Sequence, residues 1–224
     1  MGVTTGKMAF QPNIVTNGLV LNLDAINPNS YPQSGTIWYD TSGNGNNGTL
    51  TNGTAWTLNG SQTSFSFDGV DDYIRVDGNV LQDSAGTISV WTKVITNANN
   101  KFVISAVGSG TNRFYIRQNN PGNITLVRGA NVDITIPAYT LDVWYNITMT
   151  WDSTTFYAYS NGIFIGSLGY TGGGSPTTIY IGSASPTTNF YNGNISQTQI
   201  YNRALSQAEI SQNYNALKTR FGLS

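Results

Sequence analysis

Short segments rich in β-branched and aromatic residues follow one another along most of this 224-residue chain. Each is bounded by Gly, Asn or Asp, which favour turns and are depleted in strands. In chain order the segments are GLVLNLD, SFSFD, DYIRVD, TISVWTKVI, KFVISAVG, RFYIRQ, ITLVRG and VDITI. Because no helical period of useful length interrupts them, the sequence predicts an all-β protein whose strands share one buried interior.

The stretch WYNITMTWDSTTFYAYSNGIFIGSL (144–168) shows the strand pattern most clearly. Apolar side chains occupy the odd positions from Tyr145 to Trp151, and polar side chains occupy the even positions between them. This alternation is typical of a strand with one buried face and one wet face. The dipeptide Asn161-Gly162 tolerates the positive φ angles of a two-residue hairpin turn. The stretch therefore predicts a meander of three antiparallel strands.

Only the C-terminal end of the chain has a helical pattern. Ser206 and Glu209 have the spacing of a capping box, and Leu205 can pack against Ile210 as a hydrophobic staple. Apolar residues then recur on one helical face as far as Phe221. We expect this face to lie against the β-structure. The alternative is that it meets a partner subunit.

These patterns divide the chain into three parts. Residues 1–17 lack a strict period and are predicted to form an N-terminal arm. Residues 18–203 are predicted to form the β-sandwich, and residues 204–224 the C-terminal helix packed on it.

The composition excludes several classes of function. The chain has no cysteine and no histidine, which removes disulfides, thiol nucleophiles, Ser-His-Asp triads and the usual zinc sites. Its net charge of −1 provides no basic surface for a phosphate backbone, so we expect no nucleic-acid partner. No apolar run has the length of a membrane span or a signal peptide. We therefore expect that the protein is made in the cytoplasm and does not insert into a membrane.

Five signatures occur in a defined order: FDGVDDYIRV, TISVWTKV, WYNITMTWDSTTFYAYSNGIFIG, IYIGS and FYNGNISQTQIYNRALSQAEISQNYNAL. Together they resemble the laminin-G-like jelly roll of the concanavalin A-like lectin and glucanase superfamily, over about residues 18–218. The resemblance implies two curved antiparallel sheets packed face to face, with a concave surface available for ligands.

The Asn- and Thr-rich texture also resembles domains in virion proteins of tailed bacteriophages. It is clearest in NGLVLNLDAINPNSYPQSGTIWYDTSGNGNNGTLTNG near the start of the chain. This resemblance implies a location in the virion, with other virion proteins as partners. The implied role is structural or adhesive, in capsid decoration or in a fibre, with host or environmental glycans as ligands. Because virion appendages are commonly multimeric, we also expect a homo-oligomer.

Catalytic residues are not expected. Glycoside hydrolysis needs two carboxylates facing each other across a sugar. Glucanases of the superfamily carry a strand with alternating Glu, Asp and Glu, and this chain has no such strand. The sole glutamate, Glu209, belongs to the predicted capping box, and the adjacent Asp71 and Asp72 would point to opposite faces of a strand.

Two stretches are candidates for calcium, which is the one cofactor that the sequence suggests. In FDGVDDY (67–73) the carboxylates either cap a turn or, through Asp68 or Asp72, help to hold a calcium ion. In DTSGNG, oxygen-bearing side chains recur at Asp40, Ser42 and Asn44 as at the start of a calcium loop. The twelfth position of that loop is Thr51, where a bidentate glutamate belongs, so a plain polar loop remains the alternative.

Candidate sugar-binding residues are aromatic side chains outside the clearest core strands, because exposed rings stack on sugars. They are also candidates for core or loop packing. The loop TNANN (96–100) and the loop GYTGGGSPT (169–177) could gather further ligand contacts. The aromatic candidates are Tyr31, Trp38, Tyr39, Trp56, Tyr170, Phe190 and Tyr191.

Two functions therefore remain open. The first is a non-enzymatic virion protein with a structural or adhesive role. The alternative is a free carbohydrate-binding module that uses calcium.

Overall fold

The computed structural model describes residues 13–107, 113–119, 122–129, 132–171 and 174–224. Within them the helix α1 spans Gln207–Leu217, and short 3-10 segments span Gly60–Gln62 and Lys218–Phe221. No helix in this described part of the chain has the length and apolar character needed to cross a membrane. The strands are β1 (Leu19–Asp24), β2 (Ile37–Trp38), β3 (Gly48–Thr51), β4 (Ala55–Thr57), β5 (Ser64–Asp68), β6 (Tyr73–Asp77), β7 (Gly86–Val94), β8 (Lys101–Val107), β9 (Arg113–Asn119), β10 (Asn123–Arg128), β11 (Val132–Ile136), β12 (Trp144–Trp151), β13 (Thr155–Ser160), β14 (Ile163–Gly169), β15 (Thr178–Ile181) and β16 (Asn192–Tyr201).

The described strands form two antiparallel sheets of eight strands each. Sheet A has the order β14-β13-β12-β7-β16-β5-β4, and β1 also pairs with β16. Sheet B has the order β11-β10-β9-β8-β15-β6-β3-β2. The predicted all-β sandwich is confirmed. The predicted meander is also confirmed, as β12, β13 and β14, with positive φ angles of 50° at Asn161 and 75° at Gly162.

Side chains from the facing surfaces of both sheets fill one interior. The rings of Trp38 and Phe65 are fully buried with centroids 4.6 Å apart, and those of Phe114 and Trp151 lie 4.9 Å apart. Branched aliphatic side chains from most strands pack around them. Since burying one such side chain contributes about 1.5–3 kcal/mol, this interior is the main source of stability.

The outer face of sheet A is covered, contrary to the sequence expectation. Asn146, Thr148 and Thr150 were expected on a wet face, but their exposed fractions are 3%, 2% and 2%. The hydroxyl of Ser89 accepts hydrogen bonds from Asn146 Nδ2 (3.0 Å) and Thr148 Oγ1 (2.9 Å). The backbone N–H of Leu205 donates to Thr150 Oγ1 over 3.2 Å, which ties the C-terminal segment to this face. These polar side chains are therefore buried and hydrogen-bonded.

The predicted capping box begins α1 as expected. Ser206 Oγ accepts from Glu209 N–H, while Glu209 Oε2 accepts from Ser206 N–H over 2.9 Å. Arg203 donates to both carboxylate oxygens of Glu209 over 2.6 and 2.9 Å. This arginine, together with the Ser206 N–H, lowers the pKa of Glu209 to about 2. The α-helix ends earlier than the apolar pattern predicts, at Leu217, and a 3-10 segment continues to Phe221.

The predicted N-terminal arm is only partly described, because residues 1–12 lie outside the described residues. Residues 13–17 pack against the C-terminal segment. Val15 is buried, and its N–H donates to Asn213 Oδ1 over 2.7 Å. The hydroxyl of Tyr201 donates to the carbonyl of Val15 over 3.0 Å.

Candidate functional site

A polar depression lies on the outer face of sheet B, where β9, β10 and β11 run side by side. Alternation along these strands sends Ile116 and Leu126 into the interior and Arg117, Thr125 and Asp133 to the outer face. The cavity has a volume of about 490 Å³. We call it the polar depression; its lining residues are Asn99, Asn100, Arg117, Asn119, Asn123, Thr125, Asp133 and Thr135.

The guanidinium of Arg117 is the one cation among these described lining residues. Its Nη1 donates to Asn100 Oδ1 over 2.8 Å, and its central carbon lies 5.4 Å from the centroid of the Tyr115 ring. Its Nε is buried without a protein partner. A hydrogen bond and a cation–π contact therefore fix the orientation of the Arg117 guanidinium, which has further N–H donors.

Neutral amides and hydroxyls make up most of the remaining lining. Asn119 Nδ2 donates to Thr125 Oγ1 over 2.7 Å, which orders two of them. Such groups can donate to and accept from the hydroxyls of a sugar. Asp133 is exposed and is the only carboxylate among the described lining residues. The described lining residues therefore do not include the pair of carboxylates that glycoside hydrolysis requires.

Three half-buried aromatic rings lie further along the same outer face. Tyr73 meets Tyr180 edge to face with centroids 5.8 Å apart, and it stacks with Phe190 over 6.5 Å. Phe190 was a candidate from the sequence, whereas Tyr73 and Tyr180 were missed because they lie within clean strand patterns. The exposed Arg75, two residues after Tyr73, was the available signal that this face of β6 meets solvent.

The carboxylates of FDGVDDY form a cluster at the turn between β5 and β6. One carboxylate oxygen from each of Asp68, Asp71 and Asp72 lies within 4.8 Å of the others. Asp72 Oδ2 accepts from Asp68 N–H over 3.0 Å, and Asp68 Oδ1 accepts from Val70 N–H over 2.7 Å. The carboxylates thus cap the turn, as one of the two sequence alternatives proposed.

The calcium alternative for this cluster also fits the geometry. Asp72 is only 2% exposed, and its Oδ1 is buried without a partner. Burial raises the pKa of Asp72, and the charges of Asp68 and Asp71 also raise it, while the backbone N–H groups of Asp68 and Gly53 oppose the rise. A bound cation would offset both effects and supply the missing partner of Oδ1. Asp68, Asp71 and Asp72 are the residues that would hold it.

The residues of the second predicted calcium loop are hydrogen-bonded to one another and to β1, and their role as metal ligands stays a prediction. Asp40 Oδ1 accepts from the N–H groups of Asn22 (2.9 Å) and Ser42 (2.8 Å). Its Oδ2 accepts from Ser42 Oγ (2.7 Å) and from Asn46 N–H (3.0 Å). Asn44 Nδ2 donates to the same Ser42 hydroxyl over 3.0 Å. With four protein donors on its two oxygens, the Asp40 carboxylate orders the loop, and Ser42 and Asn44 take part in that network.

Most of the predicted stacking aromatics belong to the interior, so their predicted ligand role is wrong. Tyr31, Trp38, Tyr170 and Tyr191 have exposed fractions of 5%, 0%, 8% and 0%. Rings this deeply packed offer no face to a sugar. Tyr39 is 45% exposed, and its ligand role stays a prediction.

Two loops were predicted to contribute ligand contacts, and the structure describes only one of them completely. Asn99 and Asn100 of the predicted TNANN loop do line the polar depression. The other predicted loop, residues 169–177, includes positions 172–173, which lie outside the described residues.

A comparison with protein families identifies the family to which this chain belongs. The family described as the concanavalin A-like lectin/glucanases superfamily matches residues 67–211, which is more than half of the chain. The chain belongs to this superfamily. Among curated protein sequences, none matches the chain.

Several solved structures resemble the structure of this superfamily member, although their sequence identity to it is low. A mutant of Trypanosoma rangeli sialidase with trans-sialidase activity is 15% identical with a TM-score of 0.74 and covers 94% of this chain. The binding domain of botulinum neurotoxin serotype D is 19% identical with a TM-score of 0.69 over 89% of this chain. The chain spans 34% of the sialidase and 52% of the toxin domain.

A single-domain relative matches along nearly its whole length. Domain 4 of the extracellular arabinanase AbnA from Geobacillus stearothermophilus, solved with arabinotriose, is 16% identical with a TM-score of 0.71. The match covers 88% of this chain and 98% of that domain. At these identities the likeness establishes the fold.

Proposed function

We propose that this protein is a non-enzymatic glycan-binding protein that meets its ligand at the polar depression. The observation that carries the proposal is the lining of amides and hydroxyls around one oriented guanidinium. The solved complex of the arabinanase domain with arabinotriose supports the proposal, because that domain has the same fold. Among the described lining residues Asp133 is the single carboxylate, which favours binding over hydrolysis.

We further propose that it acts as a structural or adhesive component of a bacteriophage particle, in capsid decoration or in a fibre. The Asn- and Thr-rich composition with few charged residues supports this role. Residues 1–17 and the C-terminal segment are the proposed contacts with other virion proteins. Co-sedimentation of the protein with particles tests this placement.

Binding at the depression predicts a loss on replacing Arg117. On a glycan array, we expect the Arg117→Ala variant to bind at least about tenfold more weakly than the unaltered protein. The reason is that one hydrogen bond to a charged group contributes about 1.5–3 kcal/mol, and about 1.4 kcal/mol corresponds to a factor of ten.

Arg75→Ala is the matched control, because Arg75 is also an arginine on the outer face of sheet B but lies outside the depression. It should bind like the unaltered protein. If Arg75→Ala loses binding while Arg117→Ala keeps it, the ligand lies near Tyr73 and Tyr180 instead. If the unaltered protein binds no glycan, the proposed function fails.

A free carbohydrate-binding module that uses calcium is the second candidate, favoured by the buried, unpartnered Oδ1 of Asp72. If calcium binds there, calcium should raise the unfolding temperature, and a chelator should reverse the rise. Asp72→Asn should abolish the response while keeping an acceptor for Asp68 N–H. Asp77→Asn, at an exposed carboxylate in β6, should respond like the unaltered protein.

The glycan array repeated with chelator separates the two candidates. Glycan binding that disappears with chelator and with Asp72→Asn favours the calcium-dependent module. Glycan binding that persists, together with co-sedimentation with particles, favours the virion protein.

A further inference from the structure

Arg117 differs from four other arginines of the chain in what lies next to its charge. Each of those four forms an ion pair with a carboxylate, whereas Arg117 is held by the amide oxygen of Asn100 and the ring of Tyr115. No described carboxylate forms an ion pair with Arg117. Its positive charge therefore has no counter-charge in the described part of the chain. The four ion pairs are Arg75–Asp77, Arg128–Asp83, Arg203–Glu209 and Arg220–Asp24.

Partial burial makes this unmatched charge costly. Arg117 is half-buried, and its Nε is buried without a partner. Nη2 also lacks a partner among the described residues, but unlike Nε it is accessible. Withdrawing a charge from water without a counter-charge costs free energy, and a ligand anion at the same place offsets that cost. The Nη1 and Nη2 end of the guanidinium is therefore a place for an anion.

The charges of the depression limit the kind of anion. Arg117 is the only cation among the described lining residues, and the net charge of the chain is −1. Densely charged polyanions, such as sulfated or phosphorylated chains, need several cations together. A carboxylate carries one charge, and its two oxygens match the planar guanidinium. One carboxylate on an otherwise neutral ligand therefore fits the depression.

Neutral hydrogen-bonding groups surround the guanidinium. Asn119 lies two residues from Arg117 on the same face of β9, and it pairs with Asn123 of β10. The exposed Thr135 lies in the same row as Arg117, in register with it through Thr125. Amides and hydroxyls can bind sugar hydroxyls, but they carry no charge to match a ligand anion. The lining therefore suits a sugar whose carboxylate lies at Arg117.

Asp133 opposes an anion in the depression, but its position limits this effect. It lies on β11, two strands from Arg117 and two residues from Thr135. Two strand spacings place the backbones of β9 and β11 about 10 Å apart. The Debye length is about 8 Å at physiological ionic strength, so the exposed Asp133 acts only weakly at Arg117. A carboxylate next to Arg117 is therefore compatible with Asp133.

We propose that the polar depression binds sugars that carry a carboxylate, as hexuronic acids do, and that Arg117 contacts this carboxylate through Nη1 and Nη2. The inference rests on the proposed function and names the class of glycan. A neutral sugar leaves the charge of Arg117 unmatched, whereas a carboxylated sugar supplies its counter-charge. The depression therefore prefers an acidic sugar to its neutral counterpart.

Titration calorimetry with matched pairs of sugars tests the class of ligand. The probes are oligosaccharides of galacturonate, glucuronate and mannuronate, each compared with the same oligosaccharide after reduction of its carboxyl groups to alcohols. A chelator in every sample removes any bridging by calcium. We expect an acidic member to bind at least about tenfold more tightly than its reduced form. Only the binding of the acidic member should weaken as the salt concentration rises.

Variants of the full chain test the assignment to Arg117. Asn100→Asp keeps the oxygen that accepts from Arg117 Nη1 and places a counter-charge beside the guanidinium. Asn100 has a φ of 57°, which aspartate also adopts. This variant should lose the preference for the acidic member and bind the reduced member as the unaltered protein does. Arg117→Gln should lose the preference as well. Arg75→Gln is the matched control and should keep it, because Arg75 already has Asp77 as its counter-charge.

The outcomes separate this inference from the proposed function. If acidic and reduced members bind equally and Arg117→Gln weakens both, the proposed function stands and this inference fails. If no saccharide binds, both fail. An acidic preference that persists in Asn100→Asp and Arg117→Gln overturns the inference, and so does equal binding of a sulfated neutral oligosaccharide. If Asn100→Asp does not fold, as judged by circular dichroism, Arg117→Gln decides alone.

Discussion

Replacing Phe221 with alanine is expected to lower the free energy of unfolding by about 3–5 kcal/mol, which is the usual cost of removing a buried phenylalanine ring. Phe221 is 4% exposed. Its ring stacks on Trp91 with centroids 4.0 Å apart and tilts against Trp144 at 4.9 Å. Chemical denaturation of the variant and of the unaltered protein measures the difference.

The size of this effect follows from what Phe221 covers. Trp91 and Trp144 lie on the outer face of sheet A, beside the buried polar side chains of Asn146 and Thr148. Without the Phe221 ring, the C-terminal segment loses one of its two apolar clusters on that face, and Leu205 and Ile210 keep the other. Water would then reach two indoles, so tryptophan fluorescence should shift to longer wavelength before global unfolding.

Leu58→Ala is the control for this prediction, because Leu58 is 67% exposed and contributes little to packing. Its free energy of unfolding should stay within about 0.5 kcal/mol of the unaltered protein. Equal losses in both variants would mean that the C-terminal segment does not stabilise the sandwich.

The strands and the helix start were predictable because their signals are local. Alternation in β12 and the Asn161-Gly162 turn depend on neighbouring residues, and so does the capping box of Ser206 and Glu209. Coverage of the outer face of sheet A was not predictable in the same way. Alternation reports which side chains are polar, but polar side chains can be buried when they satisfy one another, as Asn146 and Thr148 do through Ser89.

The candidate site was harder to predict because it is assembled from distant residues. Arg117, Thr125 and Asp133 meet only because β9, β10 and β11 pair in register. Several aromatic residues were predicted to bind ligand because they lie in Asn- and Gly-rich segments, although their rings are buried. Trp38 lies in β2 beside a polar loop, yet its ring is at the centre of the interior. Asn and Gly residues predict that the backbone forms a loop, but they do not predict whether a neighbouring ring is buried. Burial of the ring depends on the residues of the opposite sheet.

Removing the carboxylate of Asp83 is the second large effect that we expect, with a loss of about 2–4 kcal/mol in the free energy of unfolding. Its partner Arg128 is fully buried between the rings of Phe114 and Tyr170, whose centroids lie 3.9 and 4.2 Å from the guanidinium carbon. Nη2 of Arg128 donates to the Asp83 carboxylate, whereas its Nε and Nη1 are buried without partners. Asp83→Ala therefore leaves a buried cation without its counter-charge.

A comparison of variants shows whether the unpaired charge is the cause. Arg128→Met removes the charge and keeps an apolar side chain between the rings, so we expect it to cost less than Asp83→Ala. When both substitutions are combined, the loss should be smaller than the sum of the single losses, because Asp83 has no counter-charge to provide once Arg128 is gone. Strictly additive losses in chemical denaturation would contradict this account. The ring contacts of Arg128 would then stabilise the sandwich independently of Asp83.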